Sequence, residues 1–249
     1  MTRSTLTLMA ARAAISVAVL AAIQVAVMTR AVSPLFVAEP TAAIAGAARG
    51  LADGTLTGPL GTTVREVAIS FAVAGLAGLA VGYLMWRYGA LGRAWEPWVA
   101  GLFAAPLILL YPIPMVIFGR DSAAIIAQAA AMAVLPVILY TRQGFAAIPP
   151  QLLKVAAVHR LGRGQALRHV FLPAAAPTLV TGLRLGLTYI LVGVISVEYL
   201  ASTGGLGYAI SYAYLQFDMP AVYAAVVVVV LLAAVLLGLV GRLAHLARA

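Results

Sequence analysis

The stretch AVYAAVVVVVLLAAVLLGLV, residues 221–240, runs for twenty residues without a charge. An α-helix rises about 1.5 Å per residue, so such a run reaches about 30 Å, the hydrocarbon thickness of a bilayer. In that medium each backbone N–H and C=O must find its partner inside the segment, so the run reads as a transmembrane helix. Toward the N-terminus, residues 8–28, 64–85, 98–118, 122–140 and 173–199 have the same character. The expected fold class is all-α: one polytopic membrane domain over 1–249 with about six transmembrane helices and a polar loop, 141–172, between the fourth and fifth.

Composition supports a bilayer over water. Of 249 residues, 64% are apolar and 9% charged, against about half and about a quarter in a soluble domain. The first block follows Arg3 and is interrupted by Arg12; the run beyond Arg12 is long for a signal sequence and no small-x-small cleavage site follows, so it reads as a span. There is no cysteine, which removes a disulfide framework, a thiolate metal site and a Cys nucleophile. His159, His169 and His245 lack metal-ligand spacing, so no metal site is expected. No Ser/His pair, carboxylate pair or His/Asp cluster stands out within the spans, and no catalytic residue is expected.

The net charge of +9 is explained by its distribution. Placing loops alternately on two sides gives one side Arg3, Arg12, Arg87, Arg93, Arg142, Lys154, Arg160, Arg163, Arg168, Arg242 and Arg248. The other side takes Arg30, Arg49, Arg65 and Arg120, and Arg184 falls inside a span. The positive-inside rule then puts both termini and loop 141–172 in the cytoplasm, at a bacterial-type cell membrane. Basic residues there face anionic lipid, and no nucleic-acid partner is needed.

Three local features refine the spans. Gly75, Gly78 and Gly82 lie on one helical face, where they allow another helix to approach closely. Pro106, Pro112 and Pro114 free backbone carbonyls in one span, which should break or kink beside a cavity. Loop 141–172 is too polar to span, yet Pro149-Pro150 suits a helix start and Gly162 and Gly164 a break, so two short helices are expected.

Leu152-Leu153-Lys154-Val155-Ala156-Ala157, then Val170-Phe171-Leu172-Pro173, Ala174-Ala175-Ala176-Pro177 and Gly182-Leu183-Arg184 resemble the permease subunits of binding-protein-dependent ABC importers. The segments 65–82 and 106–119, and Glu198 followed by Gly204-Gly205-Leu206-Gly207, are similar to the branch serving nitrate, sulfonate, taurine and pyrimidine-precursor uptake; the resemblance covers roughly 64–240. It implies that the loop is a coupling helix docking on a separate ATPase, through Leu152, Leu153, Lys154, Ala156, Ala157, Arg160 and Gly162. In the family the loop begins near Glu-Ala-Ala with a glycine six residues after the Glu. Here an ungapped match puts Lys154 at the acid and Arg160 at the glycine; sliding to Gly162 puts Ala156 at the acid instead.

The resemblance further implies two permease copies, two cytoplasmic ABC ATPases holding ATP and Mg, and an extracytoplasmic solute-binding protein. No cofactor is expected on this chain, which has no Gly-x-x-x-x-Gly-Lys-Ser/Thr phosphate loop. Tyr111, Gln128, Tyr189, Ser196 and Glu198 are the polar groups expected to line the translocation path. Gly205 and Gly207, beside Glu198, are expected to shape a turn or short re-entrant helix acting as an outer gate. A secondary transporter or channel without ATPase, or a weakly coupled regulatory subunit, are the competing classes.

Overall fold

Small residues set the centre of the molecule. In a computed structural model, which describes residues 3–33 and 36–246, the most enclosed helix is α6 (Ser122–Ala146), with Ala124, Ile125, Ala129 and Ala133 wholly buried. Against it lie α3 (Thr57–Arg87) and α9 (Leu172–Ala201). A Cβ on Gly78 would fall 2.6 Å from Val137 Cβ, and one on Gly82 2.6 Å from Ile138 O, so α3 touches α6 along the glycine face read from sequence. From the other side Gly182, Gly186 and Gly193 of α9 meet Tyr140, Val137 and Ala129 in the same way. Without a hydrophobic effect between helices in lipid, such backbone proximity is what holds the three together.

The other elements surround this trio. In chain order they are α1 (Arg3–Met28), α2 (Pro40–Ala52), α4 (Gly89–Ala104), a 3₁₀ turn (Leu107–Leu110), α5 (Pro112–Phe118), α7 (Pro150–Val158), α8 (Arg163–Ala166), α10 (Gly205–Leu215) and α11 (Met219–Leu246). Among the described residues all regular structure is helical. Among the described residues five helices are long and apolar enough to cross a membrane, and a sixth span results if α4 and the helical turns to Phe118 count as one broken element. The all-α, polytopic fold class therefore holds.

Boundaries differ where sequence signals compete. The block read as 98–118 begins earlier, at Gly89, passes through Pro97, and bends by 86° between Ala104 and Leu107. Pro106 cannot donate to the preceding turn, and Pro112 restarts a helix at its first position, where its missing N–H costs nothing. The basic loop is shorter than 141–172, because α6 continues to Ala146 and a π-helical stretch, Leu167–Phe171, joins α8 to α9. The connection 29–63 between the first two expected spans contains α2, whose Ala43, Ala47 and Gly50 are buried; Gly46 brings its backbone close to Ala224 of α11. Alanine and glycine give that helix a weak hydropathy signal, which hid it.

Candidate functional site

At one end of the helices, four elements converge on two buried carboxyls. Thr63 on α3 donates its hydroxyl to Glu198 Oε1 on α9 at 2.7 Å and accepts from the Leu206 backbone N–H of α10 at 2.9 Å. The Gly207 N–H donates to Glu198 Oε2 at 2.8 Å. Thr63 and Glu198 thus together cap the start of α10, each accepting one of the N–H groups that a helix N-terminus leaves open. One turn from Thr63, Glu66 accepts from Ser122 Oγ at 2.6 Å, and Ser122 in turn accepts from Arg65 at 2.8 Å. Thr63, Glu66 and Glu198 are all at most 1% exposed. Glu66 lies on α3 one turn from Thr63, the residue that holds Glu198, and Glu66 Oε2 is buried without a donor. This carboxylate pair was not seen in the sequence, because 132 residues separate its members.

The Gly204–Gly207 turn has a steric cause. Gly205 has φ +90°, and a Cβ there would strike the Glu198 carboxyl; one on Gly207 would strike Ile195 O and lie 2.6 Å from Glu198 Cβ. Arg120 adds a strut, donating to Ala201 O at 2.8 Å. Beside α10, a cavity of about 660 Å³ opens between α2 and α11. On its rim Thr55 donates both its N–H and its hydroxyl to Asp53 Oδ1, holding that carboxyl below its ordinary range.

The path-lining candidates fall in three places. Gln128, buried on α6, donates to Leu107 O at 2.6 Å and so satisfies a carbonyl freed at the α4 bend. Tyr189 packs on Phe103 with ring centroids 5.2 Å apart, beside a cavity of about 230 Å³. Tyr111 packs into the same core from the turn after the bend. Ser196 lies elsewhere on α9, half-buried, two residues before Glu198. Glu198, Gly205 and Gly207 form the buried cluster above.

At the other end, Tyr83, Trp86, Phe145 and Phe171 form a stacked and edge-on cluster with centroids 5.0 to 5.8 Å apart. It ties α3, α6 and the segment entering α9. The helix α7 packs beside the π-helical stretch, and its Leu153 and Ala156 line a cavity of about 540 Å³ with Trp86, Arg87, Arg163 and Phe171. Ala156 is buried, whereas Leu152 and Lys154 face outward. The side chain of Ala157 lies outside what is described, as does Arg248. Arg160 has φ +47°, and Leu161 N bonds Ala156 O at 3.0 Å, a left-handed helix C-terminus of the kind glycine favours. Gly162 starts the next turn, its N–H on Gln165 Oε1 at 3.0 Å. The aromatic cluster was missed in the sequence because its members lie in three separate segments.

Comparison with known proteins gives the same picture. A family model described as "Binding-protein-dependent transport system inner membrane component" matches residues 74–248. A probable ABC transporter permease protein of Brucella melitensis is 27% identical over 72% of this chain and 73% of its own. The riboflavin transport system permease protein RibX of Chloroflexus aurantiacus is 31% identical over 63% of this chain and 58% of its own. The nitrate import permease protein NrtB of Synechococcus elongatus is 26% identical over 72% and 62%. In fold, a chain of the MetNI methionine ABC transporter in an inward-facing conformation superposes with a TM-score of 0.65 at 22% identity, covering 75% of this chain and 93% of that one.

Proposed function

Because the chain belongs to the family of binding-protein-dependent transport system inner membrane components, we propose that it is the transmembrane permease of an ATP-driven importer. Its cargo is a small polar solute of the sulfonate, taurine, nitrate or pyrimidine kind, delivered by an extracytoplasmic binding protein. Relatives named for nitrate, bicarbonate and riboflavin support a small polar solute. The observation that carries the importer reading is the seat of α7. A short helix with an outward Leu152 and Lys154 and an inward Ala156 packs beside the stretch 167–171 and shares a cavity with the aromatic cluster joining α3, α6 and the entry to α9.

In this reading ATP and Mg bind a separate pair of ATPases, and two copies of this chain face each other in the membrane with both termini cytoplasmic. Closure of the ATPases moves α7. The aromatic cluster passes that displacement to three spanning helices, because packed side chains resist compression. At the far end Glu198 holds α10 to α3, and release of that contact opens the outer mouth. Lys154 and Arg160, with Arg163 beside them, suit an ATPase groove of acidic character.

The test is solute uptake by proteoliposomes containing the full-length chain with its ATPase. ATP-dependent uptake stimulated by the binding protein is the expected result. Uptake by the chain alone, driven by an ion gradient, contradicts it.

A further inference from the structure

Between Thr181 and Tyr199 the exposed positions of α9 are mostly polar. Thr181, Arg184, Thr188, Val192 and Tyr199 are exposed and Ser196 is half-buried, with Leu185 and Ile195 partly buried among them, while Leu172, Pro173 and Leu200 are exposed at the two ends of the helix. At 100° per residue the first six of these positions share one stripe about 120° wide. Faces of the molecule that meet lipid look different. On α11 the large apolar side chains Val226, Val230, Leu231, Val235 and Leu239 are exposed.

Arg184 stands near the middle of α9, about 18 Å from Leu172 and about 26 Å from Ala201. A 30-residue helix is about 45 Å long and the hydrocarbon layer about 30 Å thick, so an α9 centred in the bilayer holds Arg184 inside that layer. A cation at that depth is expensive unless a cavity or an opposite charge receives it. Among the described residues the single ion pair is Arg142 with Glu96, and the two buried carboxyls lie at the far end of the helix. Thr181 and Thr188 rest their hydroxyls on their own helix, at 2.9 Å from Pro177 O and 3.1 Å from Arg184 O. Rotation about χ1 frees either hydroxyl to donate elsewhere. Beside Thr188, Tyr189 opens onto the cavity at the α4 bend.

We infer that this face of α9 is a wall of the water-filled translocation path and that Arg184 makes the path select anionic solutes. The inference deepens the permease reading by naming the charge class of the cargo. A carboxylate, sulfonate or nitrate group is the missing counter-charge, and the two threonines supply hydrogen bonds one turn to either side.

The chain has no cysteine, so a single introduced thiol reports its own surroundings. Thr181→Cys, Thr188→Cys and, on the lipid face, Leu231→Cys are made in the full-length chain and purified with whatever subunits accompany it. The probes are two water-soluble methanethiosulfonates, one carrying a sulfonate and one a trimethylammonium. Positions 181 and 188 should react and 231 should not. At about 6 Å from a guanidinium, even in bulk water, opposite charges separate the two rates by about tenfold in favour of the sulfonate. That preference should vanish with Arg184→Gln, persist with Arg184→Lys and shrink in high salt. Failure of 181 and 188 to react, or reaction without charge preference, overturns the inference. Anion-selective labelling in a chain that recruits no ATPase would leave the inference standing and remove the importer reading; an ATPase-bound chain whose stripe is unreactive would do the reverse.

Discussion

Gly204 and Gly205 are neighbours with opposite tolerances. At Gly204 φ is −159° and an added Cβ would come no closer than 4.0 Å to Thr62, whereas Gly205 has φ +90° and faces the Glu198 carboxyl. Gly205→Ala should therefore cost at least about 1–2 kcal/mol for the backbone alone, and Gly204→Ala much less. Apparent melting temperature in mild detergent checks the pair, and equal effects would deny the contact. Glu198→Gln puts an NH₂ against either the Gly207 N–H or the Thr63 hydroxyl, and losing one such buried bond costs about 1–3 kcal/mol. Transport should fall while nucleotide hydrolysis continues; unchanged transport would count against a gate. At this scale the sequence showed half of the cluster. Glu198, Gly205 and Gly207 stood out because they sit within ten residues, but Thr63, Glu66 and Ser122 reach them only through the packing of α3 and α6. An acid three residues after a threonine at a span margin was the available signal.

Helices behave as the spacing of small residues dictates. Gly78→Ala pushes a methyl into Val137 and should cost about 1–3 kcal/mol through overpacking. Gly101→Ala meets nothing within 4 Å and should be nearly silent in the same thermal measurement. The bend after α4 depends on Gln128, so Gln128→Leu leaves the Leu107 carbonyl without its donor and should destabilise by about 1–3 kcal/mol. The proline run made the break legible from the residues alone, and the glycine face of α3 made its close packing legible. The partner that satisfies the freed carbonyl was not, since Gln128 lies 21 residues from Leu107. The helix α2 escaped because Ala and Gly carry little hydropathy, even though they are ideal for lying against α11.

Over the whole molecule the buried carboxyls and the aromatic cluster beside α7 lie at opposite ends of α3, α6 and α9, and in the importer reading those three helices are the link between them. Charge reversal on the outer side of α7 tests the nature of the partner. If the ATPase groove is acidic, Lys154→Glu should weaken its attachment by about tenfold, a cost of the order expected for a like charge at an interface rim. Tighter attachment would mean that the groove awaits an acid at that place. Everything in the importer reading depends on a separate nucleotide-hydrolysing subunit, seated on α7, that supplies the energy for transport. Purifying the full-length chain in mild detergent and identifying what accompanies it puts that dependence to the test. An ATPase in equal amount is expected, and it should be lost when Leu152 is changed to Asp. A chain that purifies without one and still moves solute across a proteoliposome membrane would contradict the reading.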